Sequence, residues 1–435
     1  MQIIIHRGSH EIGGSCVEII HNKSRIIVDI GIPLVDSEGN KFDAARYKKN
    51  SGQELVKQGV LPDLKGVYSW DDLYEKVDGV LLSHPHQDHY GYLKYVDKII
   101  PFYLGEAAHK LIELTVLFTQ MEGKIHNPHY IKSGIPFNCG EFKITPYLMD
   151  HSAFDAYAFL IEAGGKRLFY SGDFRSHGRK EKTFKWFLHN APKNIDALLL
   201  EGTSFGRNKG EFLTETEIEE EMVKIEQQTN GLLLVQQSGQ NIDRLVSFYR
   251  AAVKSGRLFV IDVYIANVLT ALKEFARLPY PSADFENIRV FFPWYLCKQI
   301  KEKNRQELMY RFKQYKITKE EIARNRQQIM LLVRPSMLLD LKKIKAFTQS
   351  AYVYSLWSGY LNDERMKMVK KFLKNNKIKF YQLHTSGHAS INTLKEMVKQ
   401  LRPAKIIPIH TFYPEQYKKL NTNILTVSDG EIISI

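Results

Sequence analysis

The chain of 435 residues is poor in cysteine, with Cys16, Cys139 and Cys297 alone. They are odd in number, far apart and in no Cys-x-x-Cys pair, which argues against a disulfide framework or a thiolate metal site and points to buried free thiols in a reducing compartment. Long apolar runs are also missing. No stretch approaches the ~18 residues of a membrane span, and the first six residues are too short for the apolar core of a secretory signal, so a cytoplasmic protein with no membrane partner is expected. There is no internal repeat and no low-complexity tract. Acidic residues are outnumbered, 48 against 61 Lys and Arg, leaving a formal charge of +13; this favours a polyanionic partner and also aids solubility. Apolar residues make up 44% of the chain, enough for a large core and, at this length, for two domains.

The first 200 residues read as short apolar runs between glycine-rich turns, at 2–5, 17–20, 25–29, 79–82, 142–148, 157–161, 167–170 and 197–200. These are expected strands. Between them, residues 109–120 place Leu111, Leu114, Leu117 and Phe118 at helical spacing, and the mixture predicts an α/β sandwich. After Phe205-Gly206 a capping box at Thr214-Glu215-Thr216-Glu217 predicts a helix to about residue 228. Runs at 232–236 and 258–262 alternate with helical patterns at 241–254 and 266–276, the grammar of a parallel sheet. Strands are expected again at 379–383, 405–409, 424–427 and 431–435.

Chemistry concentrates in Ser83-His84-Pro85-His86-Gln87-Asp88-His89. Four strong metal ligands follow directly on an apolar strand, and the His-x-His alternation turns two imidazoles of an extended segment the same way. Other candidates share that placement: Asp29, His151, Asp173, Glu201 and His410 each close an apolar run. If those strands end on one edge of a sandwich, all six positions meet in one cleft. Histidines and aspartates without cysteine suit two borderline-hard divalent ions, zinc first and manganese second, with a carboxylate such as Asp173 able to bridge them. Two adjacent ions make hydroxide available at neutral pH, so metal-assisted hydrolysis is the expected reaction class.

His84-x-His86-x-Asp88-His89, with Asp29, Asp150-His151-Ser152 and Ser171-Gly172-Asp173-Phe174-Arg175, resembles the metallo-β-lactamase superfamily. Later residues narrow the likeness. Glu201-Gly202-Thr203-Ser204 resembles motif A of the β-CASP nucleases, His384-Thr385-Ser386-Gly387-His388-Ala389 their motif B in its ribonuclease J-like form, and the segment from Arg402-Pro403 to His410 their motif C. The resemblance implies an αββα sandwich at 1–207 and 376–435, interrupted by an inserted α/β β-CASP domain at 208–375. It implies that His84, His86 and His151 hold one ion, that Asp88, His89 and His410 hold the other, and that Asp173 bridges. Asp88, Glu201, His388 and Asp29 form the implied catalytic set: Asp29 supports the ligand histidines from behind, His388 meets the scissile phosphate or protonates the leaving oxygen, and Glu201 orients it. Ser386 and Gly387, with His388, are the implied phosphate contacts. A histidine in motif C is typical of RNA-processing members. Glu201 departs from the aspartate of ribonuclease J, as does Thr411-Phe412 from the Gly-Glu that follows its motif C histidine. The glutamate is closer to the cleavage and polyadenylation endonucleases. With 25 residues beyond His410, ribonuclease J's additional C-terminal domain is expected to be missing.

The expected function is hydrolysis of single-stranded RNA by a binuclear zinc centre. DNA as substrate, a small-molecule metallo-hydrolase acting on lactones, thioesters or nucleotides, a catalytically silent RNA-binding homologue, and a homodimer stay open. Residues 298–345 hold fourteen Lys or Arg against five Asp or Glu, and Arg305, Arg311, Lys313, Arg324, Arg326 and Arg334 are the candidate RNA contacts, with a solvated helix face as the plain alternative. Tyr352, Tyr354, Trp357 and Tyr360 are candidates for base stacking, although Tyr352 and Tyr354 at strand spacing suit a core equally. Asn241, Asp243 and Arg244 open a helix whose N-terminus is suited to meeting a phosphate.

Overall fold

Three β-sheets organise the computed structural model, which describes all residues except 37–39, 72–74, 207–210 and 421–422. The first sheet runs, in spatial order, Ile432–Ser434, Gln2–Arg7, Cys16–His21, Ser24–Val28, Gly79–Leu81, Phe102–Leu104 and Pro128–Tyr130. The second runs Lys405–Ile409, Ala197–Glu201, Lys166–Tyr170, Ala156–Ala163, Phe142–Met149 and Phe137–Cys139. Their inner faces meet. Ile3, Ile5, Val17, Ile19, Ile26 and Val28 from one sheet pack against Phe142, Ile144, Phe159, Ile161, Leu199 and Ile407 from the other. The alternate residues face outward onto helices: Ile27 and Val80 join Leu55 and Ile112 on one side, while Phe169 and Leu198 join Phe184, Phe187, Leu394 and Met397 on the other. A strand covered on both faces needs no polar alternation, which is why 26–28 is continuously apolar. The layers are helix, sheet, sheet, helix, as expected.

The third sheet is wholly parallel, in the order Lys316–Ile317, Ile288–Phe291, Leu258–Asp262, Ile329–Leu332, Leu233–Gln236, Ala351–Tyr354 and Lys379–Gln382. Helices cover both of its faces. The helix Glu215–Gln227 starts at the expected capping box, in which the Thr214 hydroxyl accepts from Glu217 N and the Glu217 carboxylate accepts from Thr214 N. Helix Glu106–Phe118 joins the two halves: Ile112 packs into the first sheet's outer layer, whereas Leu111 and Phe118 enter the third sheet's core, Phe118 meeting Tyr264 edge-on at 5.1 Å.

Two strand expectations change. Lys379–Gln382 pairs with Ala351–Tyr354 and so extends the third sheet, rather than returning to the sandwich at 376. Residues 424–427 make one bridge, Ile424 to Ile406, and then leave the sheet so that Val427 can enter the core. The expected start of the insertion at 208 lies outside the described residues. Among the described residues, no helix is long and apolar enough to cross a membrane.

Leu199 is fully buried between the first two sheets. Leu199→Ala is expected to destabilise the fold by about 2–5 kcal/mol, read as a lower urea midpoint; a loss under about 1 kcal/mol would contradict the packing described.

Candidate metal centre

The expected gathering of strand ends takes place at one edge of the sandwich. Asp29 and His410 follow their strands in left-handed backbone conformation, with φ of 60° and 55°. Such a conformation costs a non-glycine residue about 1–2 kcal/mol and persists where neighbours over-determine it. Asp29 N donates to Leu81 O at 2.9 Å and His410 N to Gly8 O at 2.7 Å. The ligand-rich loop is clamped by backbone: Ser15 N donates to Asp88 O, Ile30 N to His89 O and Ile32 N to Gln87 O. Between them, Gly31 lies so close that a Cβ would stand 1.7 Å from Asp88 O, so only glycine fits.

Around this edge, His84 Nε2 and His151 Nε2 each stand 3.2 Å from His86 Nδ1. The far nitrogens of two rings are committed: His84 Nδ1 donates to Ser83 Oγ at 3.0 Å and His151 Nδ1 to Gly387 O at 2.6 Å. That fixes both tautomers and leaves bare lone pairs on the converging Nε2 atoms. Lone pairs this close repel one another unless a cation or proton sits between them. A second cluster joins Asp88, His89 and His410, with His410 Nε2 3.3 Å and His89 Nε2 3.9 Å from Asp88 Oδ2. Asp173 lies between the clusters: its Oδ2 is 3.3 Å from His89 Nε2 and 3.7 Å from His84 Nε2, and its Oδ1 is 3.6 Å from His410 Nδ1. His89 Nε2 is buried with no hydrogen-bond partner, an orphaned atom aimed at two carboxylates. All-nitrogen and oxygen donors in two groups fit divalent ions such as zinc.

Ring orientation is set from behind. Asp29 is fully buried and accepts from His89 Nδ1 at 2.7 Å, Ser83 N at 2.8 Å, Ser83 Oγ at 2.7 Å and Tyr170 OH at 2.8 Å. Both of its oxygens are thereby engaged, and the His89 ring is held by one of them. Thr203 Oγ1 lies 2.9 Å from His410 Nδ1, so motif A also steers a candidate ligand ring.

Burial pushes His84 and His151 well below the ordinary histidine range and holds His86 at about 4. Burial alone would lower His89 too, but Asp173 and Asp29 outweigh it and raise that ring. For Asp173, burial is overcome by His410, His89 and His388, and its carboxyl is held well down.

His388 is one-fifth exposed, with Nδ1 3.5 Å from Glu201 Oε1 and 3.7 Å from Asp173 Oδ2. Glu201 is buried and also accepts from Thr203 N at 3.0 Å and Ala389 N at 3.3 Å, which ties motif A to motif B. The carbonyls of Ser386 and Gly387, residues expected at the phosphate, are turned to internal donors instead. Ser386 Oγ accepts from His388 N, and its carbonyl accepts from Arg175 and His177, while the Gly387 carbonyl holds His151. Asp243 and Arg244 do not face a phosphate either; both are buried in an ion network with Arg175 and Glu215.

Among the candidate RNA contacts, Arg305 pairs with Glu307, Arg311 lies over the Phe312 ring at 5.0 Å, and Lys313 and Arg324 are exposed. Arg326 is half-buried. Arg334 is committed to Asp262 and to the Tyr264 face. Tyr352 and Tyr354 are core residues, whereas Trp357 and Tyr360 are exposed, their rings edge to face at 5.3 Å. Sequence reasoning missed the fully buried Arg175, which has no periodic signature; its place two residues after Asp173, and Asp150 beside His151, were the available signals.

Residues 52–233 match the family described as "Beta-lactamase superfamily domain", and residues 377–418 the "Zn-dependent metallo-hydrolase RNA specificity domain". The chain belongs to the metallo-β-lactamase superfamily, β-CASP group. Within that superfamily it is 22% identical to a ribonuclease J of Helicobacter pylori, over 98% of this chain and 60% of the relative. It is also 22% identical to ribonuclease J 2 of Streptococcus pyogenes, over 95% and 70% respectively. The chain thus spans about three fifths of the length of the Helicobacter relative. A crystal structure of a protein of unknown function from Enterococcus faecalis V583 has the same fold, with a TM-score of 0.75 and 20% identity, over 100% of this chain and 99% of that one.

His177, like His86, is held at about 4, by burial and then by Arg175. Folding keeps both rings neutral where the unfolded chain protonates them, so their contribution to stability is lost as pH falls from about 6.5 towards about 4. The raised His89 does not offset this, since its contribution is already fully present below about 6.5. The thermal midpoint, measured with chelator present, is expected to drop across that window; a flat profile would contradict the buried neutral rings.

Proposed function

We propose that the chain is a metal-dependent ribonuclease that hydrolyses phosphodiester bonds of single-stranded RNA. Residues up to about 207 and from about 383 onward form its hydrolase domain, and the third sheet with its helices forms the inserted β-CASP domain. His84, His86 and His151 would hold one zinc ion and Asp88, His89 and His410 a second, with Asp173 shared; manganese is the other candidate. Two such ions, when bound, supply a nucleophile at neutral pH and offset charge growing on the phosphate. Asp29 and Thr203 keep the His89 and His410 rings turned towards that centre. His388 is the group placed to donate a proton to the leaving oxygen, and Glu201, 3.5 Å from its Nδ1, holds it there. The basic side chains of Arg305, Arg311, Lys313 and Arg324 track the RNA backbone from the inserted domain; Arg334, tied to Asp262, is released from that role.

The observation that carries this reading is the convergence of Glu201 and His388, from segments on either side of the insertion, on Asp173. A lactonase or thioesterase has no need of that pair. The RNA-specificity match at 377–418 and the ribonuclease J relatives support RNA over DNA.

Zinc-loaded protein incubated with end-labelled RNA and a matching DNA tests the reading. RNA alone is expected to be cleaved, with cleavage abolished by chelation and by His86→Ala; preference for DNA, or no cleavage of either, would overturn it. His388→Ala is expected to lower kcat by about 10²–10⁴-fold while zinc content stays unchanged.

A further inference from the structure

Motif B is held by its main chain. Three consecutive carbonyls each receive a donor from a different part of the fold: Thr385 O from Arg244 Nη2 at 3.5 Å, Ser386 O from Arg175 Nη1 at 3.1 Å and His177 Nε2 at 2.8 Å, and Gly387 O from the candidate ligand His151 at 2.6 Å. His388 N then donates to Ser386 Oγ at 3.0 Å, so the ring's backbone hangs from the residue that Arg175 and His177 grip.

Arg175 is completely buried, and every direction of its guanidinium is used. Nε reaches Asp150 at 3.4 Å, Nη1 reaches Glu215 at 3.4 Å as well as Ser386 O, and Nη2 reaches Asp243 at 2.6 Å. Asp150 precedes His151 in sequence, while Glu215 and Asp243 open two helices packed on the third sheet. One planar fork therefore ties a metal-side strand end, the inserted domain and motif B together. The loop is built for it: a Cβ on Gly178 would stand 2.3 Å from Asp150 Oδ1 and 2.6 Å from Arg175 Nε.

We infer that Arg175 and His177 are positioning residues for His388, holding the Ser386 carbonyl so that the docking of the inserted domain sets the distance between the His388 ring and Asp173. Desolvating a guanidinium completely costs several kcal/mol, and a network kept only for stability is replaceable by apolar packing. Its contact with the carbonyl two residues before His388 is what stability alone does not require. This rests on the ribonuclease reading for its catalytic consequence and on geometry for the rest.

Two variants separate positioning from simple loss of fold. His177→Phe removes one donor to Ser386 O and keeps a ring against Phe212, whose centroid is 5.3 Å away. Arg175→Lys keeps the charge and loses the fork. In the zinc-loaded protein both are expected to raise hydrogen exchange across 384–390 while core strands stay protected, and to lower kcat by roughly 10- to 100-fold with KM within about twofold and zinc content unchanged. Arg175→Lys is expected to retain more activity than Arg175→Met. Unchanged exchange at 384–390 in both variants overturns the inference, as does raised exchange with unchanged kcat. A wild-type protein that cleaves no RNA overturns the ribonuclease reading, and the exchange measurement then decides the positioning role by itself.

Discussion

Imidazole lone pairs pressed together at the ends of buried strands are the constraint from which the rest of this structure follows. Hydrogen bonds to Ser83 Oγ and Gly387 O take the far nitrogens of His84 and His151, so the facing nitrogens cannot turn away from His86. Beside them, buried Asp173 and half-buried Asp88 bring carboxylate charge close to these rings. An arrangement of this kind is poised for cations: repulsion between the donors becomes shared coordination once positive charge is present. Holding it beforehand requires backbone in left-handed conformation at Asp29 and His410, main-chain clamps along 29–32, and an Asp29 carboxylate saturated by four donors.

The same device is used twice, once for the candidate ligand rings and once for the Glu201–His388 pair. Motif A supplies Thr203 to the His410 ring and Glu201 to the His388 ring; motif B supplies Gly387 to His151 and carries His388 itself. Each motif thus also steers a candidate ligand, besides carrying the Glu201 or His388 of the proposed reaction. The segment between them in sequence includes Glu215 and Asp243, which reach the Arg175 that holds motif B. The buried Arg175 and Arg244 network stands at that joint, and helix Glu106–Phe118 braces the opposite side.

Much of this was legible in the order of residues. Metal-ligand types closing apolar runs named one edge of a sandwich, and His84 to His89, Asp173 and His410 do converge there; the capping box at Thr214 fell where it was expected. Strands as short as Phe102–Leu104 and Pro128–Tyr130 escaped because three residues carry no measurable period. Lys379–Gln382 was assigned to the wrong sheet since a strand's sequence does not say which neighbour it will pair with. Arg175, Arg244 and Arg334 misled or were missed for one reason: an arginine reads as surface charge until the carboxylates that bury it are known, and Glu215, Asp243 and Asp262 lie far from their partners in sequence. Ser386 and Gly387 carry an internal task that the sequence did not reveal, because a carbonyl's direction is a property of the fold and not of the residue type.

The central claim is that two cation sites share Asp173 at this edge. Crystals of the purified protein measured across the zinc absorption edge would test it most directly. The account predicts two anomalous peaks about 3.5–4 Å apart, one touching His84, His86 and His151 and the other Asp88, His89 and His410, with Asp173 between them. A single peak, or peaks away from these side chains in zinc-replete protein, would contradict it.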